Sequence, residues 1–396
     1  MDTEKCAGTA LTSEENAAAE SREDKLEAYE IDEIEVPDCG SEDIDFEHCR
    51  IKSINHLNRF PNVKRLCLRN NLIKCLENFT PVASTLDELD LYDNQITKAS
   101  FGFMYFLIHS TLCSKYPYLL RFPCNRFQFL AVNSLCTYVK DVAKSYGYIE
   151  NLDSLVHLTV LDLSFNRIKH IENLGALVCL RKLFLVHNRI SKIENLENLV
   201  QLEMLELGSN KLRRLENIDR LVNLTQLYVG KNKIPTLENM DNLVNLTLLS
   251  IQGNRITKIA GLDRLVNLEQ LYLSENGITQ IEGLENLHKL QILDLARNFI
   301  SRIENISHLS ELEEFWFNDN KVASWDQIEH LTVLKKLQTL YMERNPIYFA
   351  NAERTRMDPN YRRKIMLTLP GLRQLDANLT GVGLNCTDST ELQLGV

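Results

Sequence analysis

The residues most able to carry out chemistry in this sequence are ten cysteines and several adjacent pairs of carboxylates. The cysteines show neither C-x-x-C nor metal-ligand spacing, which favours free thiols in a reducing compartment over a disulfide framework. Acidic pairs such as Asp87–Glu88 and Glu313–Glu314 fall at positions where we expect carboxylates to face solvent or a partner. The sequence contains no nucleophile elbow, phosphate-binding loop or zinc-binding helix motif. It therefore predicts a protein that is not an enzyme and that has no cofactor or metal site.

A different chemistry, the recognition of another protein, is indicated by the residues at the centre of a recurring L-x-L triplet. These residues are Asp90, Asp162, Phe184, Glu206, Tyr228, Ser250, Tyr272, Asp294, Trp316 and Tyr341. Side chains alternate between the two faces of a strand, so we expect these to project away from the core. Large aromatic residues interleaved with carboxylates on an exposed face are typical of a protein-binding surface. The sequence leaves open the alternative that the rings stack on one another across strands.

The spacing of one asparagine shows which elements must position these residues. Asn166, Asn188, Asn210, Asn232, Asn254, Asn276, Asn298 and Asn320 follow one another at intervals of 22 residues. Each stands in the pattern L-x-L-x-x-N-x-I/L, which is the leucine-rich repeat pattern. A buried asparagine can bond the peptide groups of adjacent coils and so form a ladder. The prediction is an α/β solenoid, a leucine-rich repeat horseshoe of about twelve coils with a parallel concave sheet, a 3-10 or helical convex side and a C-terminal cap.

The repeat is interrupted once, between Asn94 and Asn166, which lie 72 residues apart. Removing residues 99–148 restores the 22-residue interval, so we interpret that stretch as an insert within one coil. Its apolar runs are broken by basic residues and are too short to span a membrane. Three interpretations of the insert stay open: a translated non-coding segment or splice variant, a genuine lineage-specific loop, and a membrane or partner anchor.

The distribution of charge predicts the boundaries of the repeat array. Residues 1–47 hold 17 acidic and 3 basic side chains, a composition that favours disorder. We therefore predict a disordered acidic tail over 1–42, the array over 43–347 with the insert at 99–148, a cap over 348–377 and a disordered tail over 378–396. The start of the chain does not resemble a signal peptide, and we expect a nuclear or cytosolic protein. The remaining array has only a small positive charge, so we expect no nucleic-acid partner.

Several stretches resemble a known family beyond the generic repeat. They are "LYDNQI", "LELGSNKLRRLENID", "IENISHLSELEEFWFNDN", "YMERNP" and "DPNYRRKIMLTLPGLRQLDA", and they are similar to the sds22 family, the regulatory subunits 7 of protein phosphatase 1. The resemblance implies a non-catalytic partner of the phosphatase catalytic subunit, nuclear and cytoplasmic, in ternary complexes with further phosphatase regulators and without a nucleic-acid or membrane partner. The family's contact residues carry over onto Asp162, Phe184, Glu206, Asp294, Glu314, Trp316 and Tyr341. Tyr228 stands where the family usually has Phe and keeps a ring there.

The short docking pattern common among phosphatase partners, a basic residue followed by Val or Ile, any residue and then Phe or Trp, does not occur in this sequence. The nearest match is "KVASW" at 321–325, in which the Trp comes one position too late. If the chain binds the phosphatase, we expect it to use its folded concave face. The alternative function is a generic leucine-rich repeat scaffold of another nuclear or cytoskeletal complex.

Overall fold

One long sheet runs through the computed structural model, which describes residues 28–96, 149 and 151–380. The strands are β1 Tyr29–Glu30, β2 Asp43–Asp45, β3 Ile51–Ser53, β4 Arg65–Cys67, β5 Glu88–Asp90, β6 Val160–Asp162, β7 Lys182–Phe184, β8 Met204–Glu206, β9 Gln226–Tyr228, β10 Leu248–Ser250, β11 Gln270–Tyr272, β12 Ile292–Asp294, β13 Glu314–Trp316, β14 Thr339–Tyr341, β15 Gln374–Leu375 and β16 Asn378–Leu379. The described helices are α1 Asp326–Glu329 and α2 Tyr361–Thr368, with 3-10 turns at Ile31–Glu33, Leu57–Arg59, Thr80–Val82, His330–Val333 and Pro346–Tyr348.

The sheet contains β2 and then β4 to β16 in chain order. All neighbouring strands in it are parallel except the last pair, in which β16 returns antiparallel to β15. Each coil of the solenoid therefore adds one strand beside the strand of the previous coil. Twelve parallel strands, β2 and β4 to β14, come from the repeats themselves. The predicted leucine-rich repeat horseshoe of about twelve coils is confirmed.

Each repeat strand from β4 to β14 has three residues, of which the central side chain points into the core. In β6, Leu161 is fully buried, whereas the residues on either side of it are half-buried. Leu161 lies in register with Leu183 of the next coil, and the same pairing recurs along the array. No single coil encloses its own leucines, so the core exists only where neighbouring coils stack.

The asparagine ladder joins each coil to the next. Asn188 Nδ2 donates to the Leu163 carbonyl of the preceding coil at 2.9 Å, and its Oδ1 accepts from the Ile168 N–H at 3.0 Å. The same bonds recur at the equivalent asparagines, most of which are buried. The ladder thus satisfies peptide groups that the turn leaves without a backbone partner. Asn254 differs in being half-buried, and it follows Gly253, which has no side chain to cover it.

The convex side consists of successive tight turns with few helices among the described residues. Leu199 N–H donates to the Leu196 carbonyl at 2.9 Å, and Leu202 N–H donates to the Leu199 carbonyl at 3.0 Å. These bonds between residues three apart are the 3-10 pattern, which places every third leucine toward the core. Among the described residues, the α-helices lie at the end of the array, where α2 forms part of the cap.

The array continues without a change of register across the insert. Strands β5 and β6 pair in parallel, with Leu89 opposite Leu161. Ile96 N–H donates to Asn166 Oδ1 at 3.0 Å, which is the ladder bond seen between uninterrupted coils. Ile149, at the far end of the insert, is fully buried. The two sides of the insert therefore belong to adjoining coils, while residues 99–148 lie outside the described part of the chain.

We predict that deleting residues 99–148, which joins Lys98 to Ile149, leaves the thermal midpoint unchanged or raised. The ladder bond across the insert is already in place, and each doubling of a loop's length costs only about 0.6 kcal/mol of closure entropy. Scanning calorimetry of both forms measures the effect. As a matched control, deleting 99–149 also removes buried Ile149 and breaks the 22-residue interval, so it should destabilise. A midpoint lowered by about 5 °C or more in the first variant would contradict the prediction.

Two predicted boundaries need correction. Residues 28–42 belong to the folded part and not to a tail, since β1 pairs with β3 and Ile31 is fully buried. At the other end, the cap extends beyond residue 377, because β16 pairs with β15. The cap is joined to the last repeat by Asp376, whose Oδ1 accepts from the N–H groups of Met342 and Glu343 at 2.8 and 2.9 Å. The predicted disorder of residues 1–27 and 381–396 lies outside the described residues.

Candidate functional site

The ten residues predicted to project from the core stand at the final position of ten consecutive strands, β5 to β14. Neighbours in this concave row are paired across strands, as Asp162 is with Phe184 and Phe184 with Glu206. Neighbouring strands lie about 4.8 Å apart, so the row from Asp162 to Tyr341 extends over about 38 Å. A band of this length suits contact with another protein better than capture of a small molecule.

Three aromatic rings gather at the C-terminal end of the concave row. The ring centroids of Tyr272 and Trp316 are 6.0 Å apart, and those of Trp316 and Tyr341 are 5.9 Å apart, both edge to face. Trp316 Nε1 donates to Glu314 Oε2 at 3.2 Å, and Gln374 Nε2 donates to the Tyr341 hydroxyl at 2.6 Å. The rings do contact one another across strands, yet each stays partly exposed. Stacking and availability to a partner therefore coexist in this cluster.

Asp294 is buried between two of these rings, contrary to the exposed carboxylate expected from the sequence. Its strand lies between those of Tyr272 and Trp316, and only 4% of the residue is exposed. Burial raises the pKa of its carboxyl, against hydrogen bonds from Ser274 and from the Ala296 N–H, the latter at 2.9 Å. Asp294 is thus positioned to support the aromatic cluster.

We predict that Asp294→Asn increases stability at pH 7, by up to about 1 kcal/mol, and gives no such gain at low pH. The pKa of this carboxyl is raised in the folded state, so folding favours its protonated form. That contribution is present below the unfolded pKa of about 3.9 and is lost as the pH rises through the folded pKa. Asn keeps an acceptor for the Ala296 N–H without a buried charge.

Urea unfolding at the two pH values measures this difference. The matched control is Asp162→Asn, at a half-buried position whose Oδ1 accepts the equivalent bond from the Ser164 N–H at 2.8 Å. A lower stability of Asp294→Asn at pH 7 would show that the charged form of this carboxylate is favoured by the fold.

Carboxylates dominate the N-terminal half of the concave row. Asp162 and Glu206 stand on strands two apart, with Phe184 on the strand between them. Burial raises the pKa of Glu206, and the negative charge of Asp162 raises it further. Tyr228 follows on the next strand, where its hydroxyl donates to Gln226 Oε1 at 3.3 Å. A cation from a partner would relieve the repulsion between the two carboxylates.

The eight residues predicted to contact a partner therefore form two groups and not one cluster. The first group, on β6 to β9, is Asp162, Phe184, Glu206 and Tyr228. The second group, on β12 to β14, is Asp294, Glu314, Trp316 and Tyr341. The strands between them carry Ser250 and Tyr272, and Tyr272 joins the second group through its contact with Trp316.

A second row on the same face, at the first position of each strand, lies outside the L-x-L triplets. Met204, Leu248 and Ile292 are half-buried apolar residues in this row. Glu314 belongs to it as well, two residues before Trp316. Extending the alternation by one residue toward the N-terminus would have found this row, since side chains two apart share a face.

The described residues contain no group of three or more His, Cys, Asp or Glu side chains placed to hold a metal ion. The thiol of Cys67, which lies in register with Asp90, is not activated, since burial raises its pKa to about 12. Within the same ranges, no helix combines the length and apolar character that crossing a bilayer requires.

Comparison with known proteins shows which proteins this chain resembles in sequence. The profile described as Leucine Rich repeats (2 copies) matches residues 156–198, 180–220, 244–286 and 266–311. A Saccharomyces cerevisiae protein named protein phosphatase 1 regulatory subunit SDS22 is 37% identical over 142 residues, which is 35% of this chain and 25% of that protein. The chain thus has the leucine-rich repeat fold, and over these stretches it is similar in sequence to SDS22.

Other relatives match over shorter stretches. The Danio rerio protein named protein phosphatase 1 regulatory subunit 7 is 54% identical over 43 residues, 11% of this chain and 10% of that protein. The matched stretches thus span a quarter or less of these two relatives. A solved leucine-rich repeat protein of Leptospira interrogans superimposes with a TM-score of 0.55 over 80% of this chain and 73% of its own, at 20% identity. That likeness shows the fold alone.

Proposed function

We propose that the chain is a non-catalytic regulatory subunit of protein phosphatase 1 that binds the catalytic subunit on its concave face. The relatives named as regulatory subunits of this phosphatase support the partner. The observation that carries the binding face is the concave row, in which partly exposed rings alternate with carboxylates along parallel strands. A rigid array holds these groups in place before contact, which lowers the entropy lost on binding.

Each group of the concave row has its own part in this proposal. Asp162, Glu206 and Glu314 pair with lysine or arginine residues of the partner and fix its orientation. Phe184, Tyr228, Trp316 and Tyr341 supply the apolar anchors that typically dominate interface energies. Asp294 acts indirectly, by supporting the rings of Tyr272 and Trp316 from the strand between them.

The segment nearest to a short docking motif supports the use of a folded face. In "KVASW", Val322 is fully buried and Trp325 packs 6.3 Å from the Tyr361 ring. Lys364, from the same helix α2 as Tyr361, places its Nζ 4.3 Å from the centre of the Trp325 ring. Val322 and Trp325 therefore pack within the folded protein and are not free to bind as an extended peptide.

We also propose a cellular location and further partners for this complex. A nuclear and cytoplasmic location fits a regulator of this phosphatase, with neither nucleic acid nor membrane as a partner. The convex side takes no part in the concave contact, which leaves room for a further phosphatase regulator in a ternary complex.

Calorimetric titration of the purified chain with the phosphatase catalytic subunit tests the proposal. Glu206→Lys should weaken binding by about tenfold or more, because it places a like charge against the partner's cations. The matched control Glu197→Lys makes the same charge change at an exposed convex position and should leave affinity unchanged. Phosphatase assays with and without the chain then show the direction of regulation. Failure of the unmodified chain to bind would favour a scaffold of another complex.

A further inference from the structure

One edge of the solenoid carries unbroken positive charge through its middle coils. Directly after the ladder asparagine of five consecutive coils stand the exposed residues Arg167, Arg189, Lys211, Lys233 and Arg255, which we call the basic edge. The segments around them hold eight Lys or Arg and no Asp or Glu, over residues 165–169, 187–191, 209–213, 231–235 and 253–257. The negative charge of the chain is concentrated in residues 1–47, and this edge gathers cations within an array whose net charge is only slightly positive.

In later coils the charged residues directly before the ladder asparagine are paired, whereas the five cations of the basic edge are not. Arg297 lies 2.6 Å from Glu275, and Arg344 binds both carboxylate oxygens of Asp319 at 2.6 and 2.8 Å. Within the described part of the chain, no carboxylate stands within salt-bridge distance of the five cations of the basic edge. Like charges on neighbouring strands repel one another. An acidic partner would reduce that repulsion. The basic edge should therefore prefer a negatively charged ligand.

An aromatic stack stands at the N-terminal end of the basic edge. The Phe165 ring lies 4.7 Å from the Tyr92 ring on one side and 4.7 Å from the His187 ring on the other. Arg69 Cζ lies 4.3 Å from the centre of the Tyr92 ring. Phe165 is 37% exposed and has a φ of 55°, a backbone conformation that bulky residues rarely adopt. The stack borders a groove of about 570 Å³ that Arg167 and Arg189 also line.

The stack distinguishes between two kinds of anionic partner. Binding of single-stranded nucleic acid depends on bases stacking on ring faces. Both faces of Phe165 are already covered, by Tyr92 and His187, so this ring offers mainly its edge. Ring edges carry partial positive charge and attract carboxylates as well as contacting apolar groups. The surface therefore favours an acidic polypeptide over a nucleic acid.

We propose that the basic edge binds an acidic peptide segment of a second protein, with an apolar side chain of that segment against Phe165. The five cations span four coil intervals, about 19 Å at about 4.8 Å per strand. An extended peptide of about six residues covers the same distance. This site lies beside the concave row and does not depend on phosphatase binding, so the two sites can be occupied together.

Fluorescence anisotropy with a labelled oligoglutamate peptide ending in phenylalanine tests the proposal, at an ionic strength of about 0.15 M. The full chain should bind it, and Lys211→Glu with Lys233→Glu should weaken binding by about tenfold or more. The matched control, Arg220→Glu with Arg264→Glu, changes the net charge equally at exposed cations of the convex turns and should bind as the parent chain does. Phe165→Ala should weaken binding of this peptide more than of oligoglutamate without the phenylalanine.

Three results would overturn the proposal. The first is no binding by the full chain, and the second is an equal loss of affinity in the control pair. The third is equal affinity for a single-stranded oligouridylate of the same charge, which would indicate attraction of any polyanion. Circular dichroism of each variant confirms that the array is folded, so that a loss of binding reports on the surface.

Discussion

Trp316→Ala should weaken binding of the phosphatase catalytic subunit by about 2 kcal/mol or more, a loss of roughly thirtyfold. Trp316 stands at the centre of the aromatic cluster, between Tyr272 and Tyr341, and its ring is partly exposed. Its indole N–H is held by Glu314, so the ring meets a partner in a fixed orientation. Truncation removes a preorganised anchor and frees its two neighbours to change conformation. Calorimetric titration measures the affinity.

The matched control for this experiment is Phe299→Ala. Phe299 is an aromatic residue with 55% exposure, outside the concave row and beside Lys321, whose Nζ lies 5.4 Å from the ring centre. Its removal should leave phosphatase affinity within about twofold of the parent chain. Unchanged affinity in Trp316→Ala, with the array shown to be folded, would rule out the concave-face proposal. The proposed peptide site on the basic edge would be unaffected by that outcome.

Asn320→Ala should lower the free energy of unfolding by about 3 kcal/mol. Asn320 is 1% exposed, and its Oδ1 accepts from the Ile300 N–H at 3.0 Å. Its Nδ2 donates to the Leu295 and Phe317 carbonyls at 2.8 and 3.2 Å. Alanine leaves these buried peptide groups without partners and without access to water, which costs far more than the loss of an exposed hydrogen bond. Urea denaturation followed by circular dichroism measures the change.

Two further asparagines provide a graded comparison. Asn254→Ala should cost less than Asn320→Ala, because Asn254 makes equivalent bonds at a half-buried site that water can reach. Asn223→Ala should cost under about 0.5 kcal/mol, since Asn223 is exposed and makes one bond to the Val200 carbonyl. Equal effects at all three positions would mean that burial does not determine the strength of the ladder.

The order and register of the coils could be predicted from the sequence because the contacts in a repeat fold are mainly between neighbouring coils. Each coil contacts its neighbours, so an asparagine every 22 residues determines both the strand position and the ladder bond. The same spacing identified the insert, and the bond from Ile96 to Asn166 shows why: those residues are adjacent in space although 70 apart in sequence. The outward direction of Trp316 and Tyr341 followed from the alternation of strand side chains.

The features that the sequence did not predict depend on side-chain conformation or on where charges lie on the surface. A spacing pattern contains neither. The burial of Asp294 results from how the rings of Tyr272 and Trp316 lie across the intervening strand. Ile31 is a core residue within an acidic stretch, so composition alone placed it in a tail. The basic edge was missed for a related reason, because the net charge of the array averages its five cations with the carboxylates of other faces.

The reversal of the last strand also affects whether these chains can add to one another end to end. A stack of parallel strands has two unlike ends, and an open end can add the first strand of another molecule, giving an endless fibre. Here β16 turns back against β15, so the last described strand runs against the parallel direction. At the other end, the exposed Asp43 and Asp45 flank Ile44 in β2 and disfavour a close approach. Within the described residues, both edges of the long sheet therefore disfavour head-to-tail addition of a second array.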